Sequence, residues 1–360
     1  MKNYYEKIVF VVVVVAVGLI SRAIYPRLYP VAAGNSSAAT ESSTNGVPRF
    51  VLPALSLVSV QGAATSSVSP GGDLESGTGA ISQESIPPDD AGDVLVAPTG
   101  PVLGSVFSHS SGTPPPALDL TAALIADLGT GARFMSLNAT KRWPLASVTK
   151  LMTATVAIDV LSPAQKITIT QDDLAVDPSE KTLHVGDTYT VNDLLHILLL
   201  PSSNVAAEAL AGAYGRPAFI AEMNRRAVAW GMTDTHYDDP SGLSVGSQST
   251  ASDLVVLTQK IYTAYPQILT ITRTPQVTLT EISSGDQVVV KSINEFAGRL
   301  GFIGGKTGYT DQADGNLLSV FSYEGHPIVV IVLGTSDDSR FANATALYNW
   351  FTANFKIGTP

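Results

Sequence analysis

The chain contains no cysteine. That removes a thiol nucleophile, a disulfide framework and any thiolate metal site, and it suits a protein exposed to an oxidising exterior. Charge is sparse as well: 14% of the 360 residues are charged, and they sum to −10. No basic stripe runs through this acidic chain, which excludes a nucleic-acid partner on electrostatic grounds. There is no internal repeat. The five histidines (His109, His184, His196, His236 and His326) lack metal-ligand spacing, so no metal site is expected. Asp172-Asp173 and Asp238-Asp239 are simplest as turn and cap residues.

What is present is apolar bulk, 45% of the chain, enough for one or two sizeable cores. Charge is unevenly spread. Residues 1–30 carry four basic and one acidic side chain (+3), 31–116 one and seven (−6), and 117–360 16 and 23 (−7). Lys2 and Lys7 precede an unbroken apolar run from Ile8 to Ile20. That length suits a signal-peptide core. Continued to Tyr25 it makes a marginal membrane span, with Arg22 snorkelling and Tyr4, Tyr5 and Tyr25 near the interfaces. Residues 8–25 are therefore expected to be a signal anchor or a signal peptide, with 1–7 as a cytosolic tail and the membrane as a partner.

Residues 31–116 are rich in Ser, Gly, Thr, Ala and Pro. Such a stretch has too little bulky apolar surface to offset its ordering entropy, so a mostly disordered linker is expected. As a coil it would span roughly 50 Å, a tether holding a domain away from a membrane. Two apolar patches, Phe50 to Val60 and Val94 to Phe107, could form a strand or a docking segment. Order is expected near Leu118, and 117–360 is expected to be one domain.

Within it, Ala122–Asp127 and Ala132–Leu137 flank Leu128-Gly-Thr-Gly131 as a hairpin. Helices are expected over Ser147–Val160, from Thr190-Val-Asn-Asp193 through Leu200, and over Asn204–Ala213, Ala218–Trp230, Ala251–Ala264 and Phe341–Phe355. Strands are expected at Ile167–Thr170, Gln276–Thr280, Gln287–Lys291, Gly304–Tyr309, Leu317–Tyr323 and Ile328–Leu333, the last two around the turn Glu324-Gly-His-Pro327. Strands at both ends with helices between them predict an α+β fold: an antiparallel sheet from distant parts of the chain, with a helical lobe on its face.

Three short segments carry the chemistry: Ser147-Val-Thr-Lys150, Ser202-Ser-Asn204 and Lys306-Thr-Gly308. With Ser147 at the start of a helix, Lys150 lies one turn on along the same face, within reach of the hydroxyl. Serine is a poor nucleophile unless a base takes its proton, and a neutral lysine can do so. That needs a lysine pKa lowered by burial or by a nearby cation, for which Lys306 is the candidate. The helix N-terminus supports negative charge developing next to Ser147. Ser202-Ser-Asn204 follows Pro201 between two helices, where it can aim a hydroxyl and an amide into a cleft; equally, Ser202 or Ser203 could simply cap the next helix. Lys306 and Thr307 pair a positive charge with a hydroxyl, suited to a carboxylate, and Gly308 permits close approach.

In this order the motifs resemble those of the low-molecular-mass D-alanyl-D-alanine carboxypeptidases, the serine peptidases of family S11 that trim peptidoglycan stem peptides. Arg142-Trp-Pro-Leu-Ala-Ser-Val-Thr-Lys-Leu-Met-Thr153, Gly231-Met-Thr-Asp-Thr-His-Tyr-Asp-Asp-Pro-Ser-Gly-Leu243 and Gly305-Lys-Thr-Gly-Tyr-Thr310 extend the likeness over residues 118–355. The resemblance implies a β-lactamase/D,D-peptidase-like three-layer α/β/α sandwich, no cofactor, and acylation by β-lactams. It implies Ser147 as the acylated nucleophile and Lys150 as its proton acceptor. Ser202 would relay the proton to the leaving D-alanine, Asn204 would hold the substrate's peptide group, and Lys306, Thr307 and Gly308 would bind the terminal carboxylate end. The backbone N–H groups of Ser147 and Tyr309 would form the oxyanion hole. It also places the body in the bacterial cell envelope, outside the cytoplasm. No oligomer is implied.

Two positions depart from the family pattern. Ser203 stands where glycine is more usual, and a side chain there would narrow the cleft. Lys291, in Lys291-Ser-Ile-Asn294, is a weak substitute for an arginine that some members use on the carboxylate. The extra C-terminal β-domain of many relatives is not expected after the closing helix. A class A β-lactamase would need Glu-x-x-x-Asn between the second and third motifs, and none of Glu208, Glu222, Glu281 and Glu295 has asparagine four residues on. A D,D-endopeptidase with the same residues and a non-catalytic wall-binding scaffold remain as alternatives.

Overall fold

The computed structural model describes residues 107–110 and 112–358. The signal segment, the cytosolic tail, the patch at 50–60 and most of the expected linker lie outside the described residues. Among the described residues, no helix is long and apolar enough to cross a membrane.

The framework is a five-stranded antiparallel sheet of β1 (Ala122–Asp127), β2 (Arg133–Leu137), β3 (Phe302–Thr310), β4 (Asp314–Tyr323) and β5 (His326–Thr335). Its spatial order is β3-β4-β5-β1-β2, so the first hairpin closes against a strand just over 200 residues later in the chain. β1 and β5 are apolar without alternation because both faces of the sheet are covered. Leu124, Ala126, Val329, Ile331 and Leu333 enter one core, with the helical lobe. Ala123, Ile125, Ile328, Val330 and Val332 enter the other, with Phe341, Leu347 and Phe351 of the closing helix. Full burial of each Val, Leu, Ile or Phe among them is worth about 1.5–3 kcal/mol. The result is the expected α+β sandwich of three layers.

The lobe contains α1 (Lys150–Val160), α2 (Val191–Leu199), α3 (Asn204–Tyr214), α4 (Arg216–Ala229), α5 (Ala251–Ala264) and α6 (Pro266–Thr272); α7 (Arg340–Asn354) covers the opposite face. Side-chain caps set several of these starts, with Thr190, Ser203 and Thr250 each accepting a hydrogen bond from a backbone N–H of the first turn. Asp173 completes a capping box with Thr170. Asp239 accepts bonds from the amides of Ser241, Gly242 and Ser244. Both acidic pairs thus include the structural residue expected of them.

Four expectations change. A strand at Phe107–His109 already lies ahead of Leu118. Phe107–His109 pairs with Phe355–Ile357, and Phe107 packs edge-on against Phe134 with centroids 4.8 Å apart. Phe107 ends the apolar patch that could form a strand, and the strand partners and aromatic contacts that hold it lie far along the chain. Gln276–Thr280 and Gln287–Lys291 pair as a separate two-stranded ribbon and do not join the main sheet, because only Leu279 and Val290 of it are buried. The turn between β4 and β5 is only Glu324-Gly325, both with positive φ (50° and 87°), and Tyr323 opposes His326. His326 and Pro327 therefore belong to β5. Finally, the helix expected from Ser147 starts at Lys150, behind a 3₁₀ turn over Ala146–Thr149.

Candidate active site

That 3₁₀ turn is what brings the first motif together. Residues i and i+3 eclipse in a 3₁₀ turn, and Lys150 Nζ lies 2.8 Å from Ser147 Oγ. The chain entering the turn is tightly held. Trp143 Nε1 donates to the Ala313 carbonyl at 2.7 Å, and Asn316 Nδ2 donates to the carbonyls of Pro144 and Leu145 at 2.9 and 3.1 Å. Ala146 takes φ +47°, an uncommon conformation for a non-glycine residue and one that the surroundings must enforce.

Two glycines let the neighbouring backbones reach this turn. A Cβ on Gly308 would sit 2.8 Å from the Leu145 carbonyl oxygen and 3.2 Å from Ser147 N. On the other side Gly242 (φ +85°) leaves no room for a Cβ beside the Ala146 carbonyl. β3 is an edge strand of the sheet, so its outer side, facing this turn, has no partner strand. The backbone amides of Ser147 and Tyr309 therefore belong to two segments in direct contact at Gly308. The Tyr309 side chain itself is half exposed.

The second motif lies on the connection between α2 and α3. Ser202 holds φ +68°, again unusual for a non-glycine residue, and its Oγ accepts from Lys306 Nζ at 2.8 Å. Lys306 also donates to the Thr307 carbonyl at 2.9 Å, with Thr307 Oγ1 at 3.5 Å. Asn204, at the start of α3, offers Oδ1 to Lys150 Nζ at 2.7 Å. Ser203 does not narrow the cleft: it is buried, and its Oγ caps α3 by accepting from Ala206 N at 3.1 Å. Ser203→Ala should therefore lower stability by about 1 kcal/mol, and Ser203→Gly by only a few tenths. Neither change should alter the rate of penicillin acylation; equilibrium unfolding beside an acylation time course checks both.

Electrostatically the site is built on two buried lysines. Burial lowers the Lys150 pKa from its usual 10.5 to about 7, against the opposing pull of Asp239, Asp177, Glu180 and Glu208. Of the two causes the sequence allowed, burial is the one that acts on Lys150, not the Lys306 cation. The repulsion appears in Lys306 instead: burial first, then Lys150 and Arg340, hold its pKa well below the usual value. Near neutral pH Lys150 is thus divided between amine and ammonium, so a neutral amine able to accept a proton is available there.

Several participants gave no sequence signal. The third acceptor of Lys150 is a backbone carbonyl, that of Ser241, at 2.8 Å. Asp177 accepts from Asn204 Nδ2 at 3.0 Å. Arg340, at the start of α7, adds positive charge felt by Lys306. Lys291, by contrast, is exposed on the ribbon, and among the described residues its side chain makes no hydrogen bond or ion pair. Among the described residues, no three His, Asp or Glu side chains converge to hold a metal ion.

This arrangement, a hydroxyl on a buried amine beside a second serine–lysine pair, matches the motif order in the sequence. The family model of D-alanyl-D-alanine carboxypeptidases matches residues 109–337. The chain belongs to this family, peptidase family S11. A D-alanyl-D-alanine endopeptidase of Pseudomonas aeruginosa is 31% identical over 279 residues, covering 71% of this chain and 87% of its own. A D-alanyl-D-alanine carboxypeptidase of Mycobacterium tuberculosis is 30% identical, covering 63% of this chain and 80% of its own. Among solved structures, penicillin-binding protein D2 of Listeria monocytogenes in its cefotaxime-bound form superposes with a TM-score of 0.58 at 30% identity, over 66% of this chain and 98% of that one. The S11 likeness thus covers both the lobe and the sheet that between them carry the three motifs.

Proposed function

We propose that this S11 family member is a serine D-alanyl-D-alanine carboxypeptidase that removes the terminal D-alanine of peptidoglycan stem peptides. The observation that carries this reading is Ser147 Oγ held 2.8 Å from a buried Lys150 whose pKa is about 7. Neutral Lys150 takes the Ser147 proton as Oγ attacks the carbonyl of the penultimate D-alanine. The N–H groups of Ser147 and Tyr309 receive the developing oxyanion. As the tetrahedral intermediate collapses, the C–N bond breaks and Ser202 relays the proton held on Lys150 to the leaving amine, so that free D-alanine departs and Lys150 is neutral again. Water then hydrolyses the ester on Ser147. Asn204 holds the peptide group, while Lys306, Thr307 and the Gly308 backbone bind the terminal carboxylate, with Arg340 strengthening the positive field. β-Lactams would acylate Ser147 by the same route.

The substrate lies outside the cytoplasm. The peptidoglycan chemistry of the three motifs supports a body in the cell envelope, and the apolar run at residues 8–25 supports an anchor that holds it to the membrane through the linker. A second reading, D,D-endopeptidase on cross-links, is favoured by the endopeptidase relative, whose identity to this chain is 31%.

The test is intact-mass spectrometry of the full-length chain with benzylpenicillin, beside Ser147→Ala. One drug-sized adduct is expected on the parent and none on the variant. D-alanine release from a monomeric pentapeptide muropeptide, against cleavage of a cross-linked dimer, then separates the two readings. A folded parent that takes no adduct would sink both and leave the scaffold.

A further inference from the structure

The Asn204 amide is held from both ends. Oδ1 accepts from Lys150 Nζ at 2.7 Å, and Nδ2 donates to Asp177 Oδ2 at 3.0 Å. A primary amide has one accepting and one donating end, whereas a carboxylate only accepts. Flipping the amide would set its oxygen against the Asp177 carboxylate and its N–H bonds against Lys150. Asp177 therefore selects the orientation in which oxygen faces the lysine. Asp177 is itself fixed, since the Ser179 amide and hydroxyl donate to its other oxygen at 3.2 and 2.6 Å.

We propose that Asp177 is a positioning residue for acyl transfer: through the Asn204 amide it holds an acceptor on Lys150 and adds to the negative charge that this lysine faces. The proposal rests on the reading of Lys150 as proton acceptor. Carboxylates face Lys150 from three elements: Asp239 on the loop before α5, Asp177 and Glu180 on the segment before α2, and Glu208 on α3; the cation Lys306 comes from β3. Their situations differ. Asp239 is occupied by the amides of its own loop, Glu208 is bound by Arg216 at 2.6 Å, and Glu180 receives the amides of Lys181 and Thr182. Asp177 is the one joined to Lys150 through a single intervening side chain. Partial burial works against its ionisation, but the hydrogen bonds from Ser179 and Asn204 outweigh it and hold its carboxyl below the usual range. It thus remains a charged acceptor wherever the enzyme works.

The experiment measures the benzylpenicillin acylation rate of the full-length chain from pH 5 to 9, for the parent and for Asp177→Asn, Asp177→Ala and Asp177→Glu. Asp177→Asn keeps an accepting oxygen and loses the charge. Its acidic limb should move down by about half a pH unit or more, with the plateau within about threefold of the parent. Asp177→Ala loses both, so the limb should shift and the plateau fall about tenfold. Asp177→Glu should return the limb toward its parental position. A limb unmoved in all three variants overturns the proposal, as does a uniform fall at every pH, the mark of a merely structural loop residue. A parent that is never acylated overturns the serine–lysine reading instead, so the two failures are distinguishable.

Discussion

Lys150→Met is expected to slow benzylpenicillin acylation about 10³-fold or more, the scale of losing a positioned general base next to a serine. Methionine matches the length of the lysine stem but carries no nitrogen to take the Ser147 proton. It also leaves the Ser241 carbonyl and Asn204 Oδ1 without the donor they now share, a cost of about 1–3 kcal/mol per unsatisfied group. The pH profile provides the diagnostic. With a Lys150 pKa of about 7, the reactive amine is depleted as pH falls, so the parental rate should drop about tenfold per unit below that value and level off above it. The residual rate of the variant should lack this limb. A single acylation series from pH 5 to 9 tests both points. A variant within tenfold of the parent, or one that keeps the limb, would remove Lys150 from the proton transfer.

Gly242→Ala should lower both stability and acylation. A Cβ there would overlap the Ala146 carbonyl and come within 2.7 Å of Thr149 Oγ1, at a backbone φ of +85°. The left-handed conformation costs about 1–2 kcal/mol for a non-glycine residue, and forced overpacking adds about 1–3. A loss of about 3 kcal/mol in unfolding free energy corresponds to a melting temperature lower by roughly 10 °C in a domain of this size. The part that relaxes most easily is the strained Ala146–Ser147 step, so acylation should fall as well, by about 10²-fold for a displacement near 1 Å. Thermal unfolding and the acylation rate measured below the transition check the two effects. A variant with parental stability would mean that the loop carrying Gly242 yields freely and does not brace the nucleophile turn.

Local rules account for most of the elements. Thr190 and Asp193 mark the start of α2, Pro201 follows its end, and the unbroken apolar runs in β1 and β5 anticipate strands covered on both faces. Where local rules failed, the deciding contact was distant. Phe107 is held by aromatic partners that the sequence brings no nearer than Phe134. The 276–291 ribbon has ordinary strand composition but no second buried face. Ser203 departs from the family pattern, yet it is simply a helix cap, the alternative that its residue type already allowed.

The sequence by itself determined the reaction class. A serine three residues before a lysine, a second serine with an asparagine, and a Lys-Thr-Gly segment specify which functional groups are available, because those groups are properties of residue type and near spacing. Only the tertiary structure decided how they are tuned. The lysine proposed as base has its pKa lowered by burial, and burial is created by packing from the whole lobe. Its acceptors come from Asn204 and the Ser241 carbonyl, 54 and 91 residues away. The amide facing it is oriented by Asp177, 27 residues before Asn204 on a segment with no motif of its own. Distances and desolvation of this kind arise from contacts between remote parts of the chain, and no local pattern encodes them.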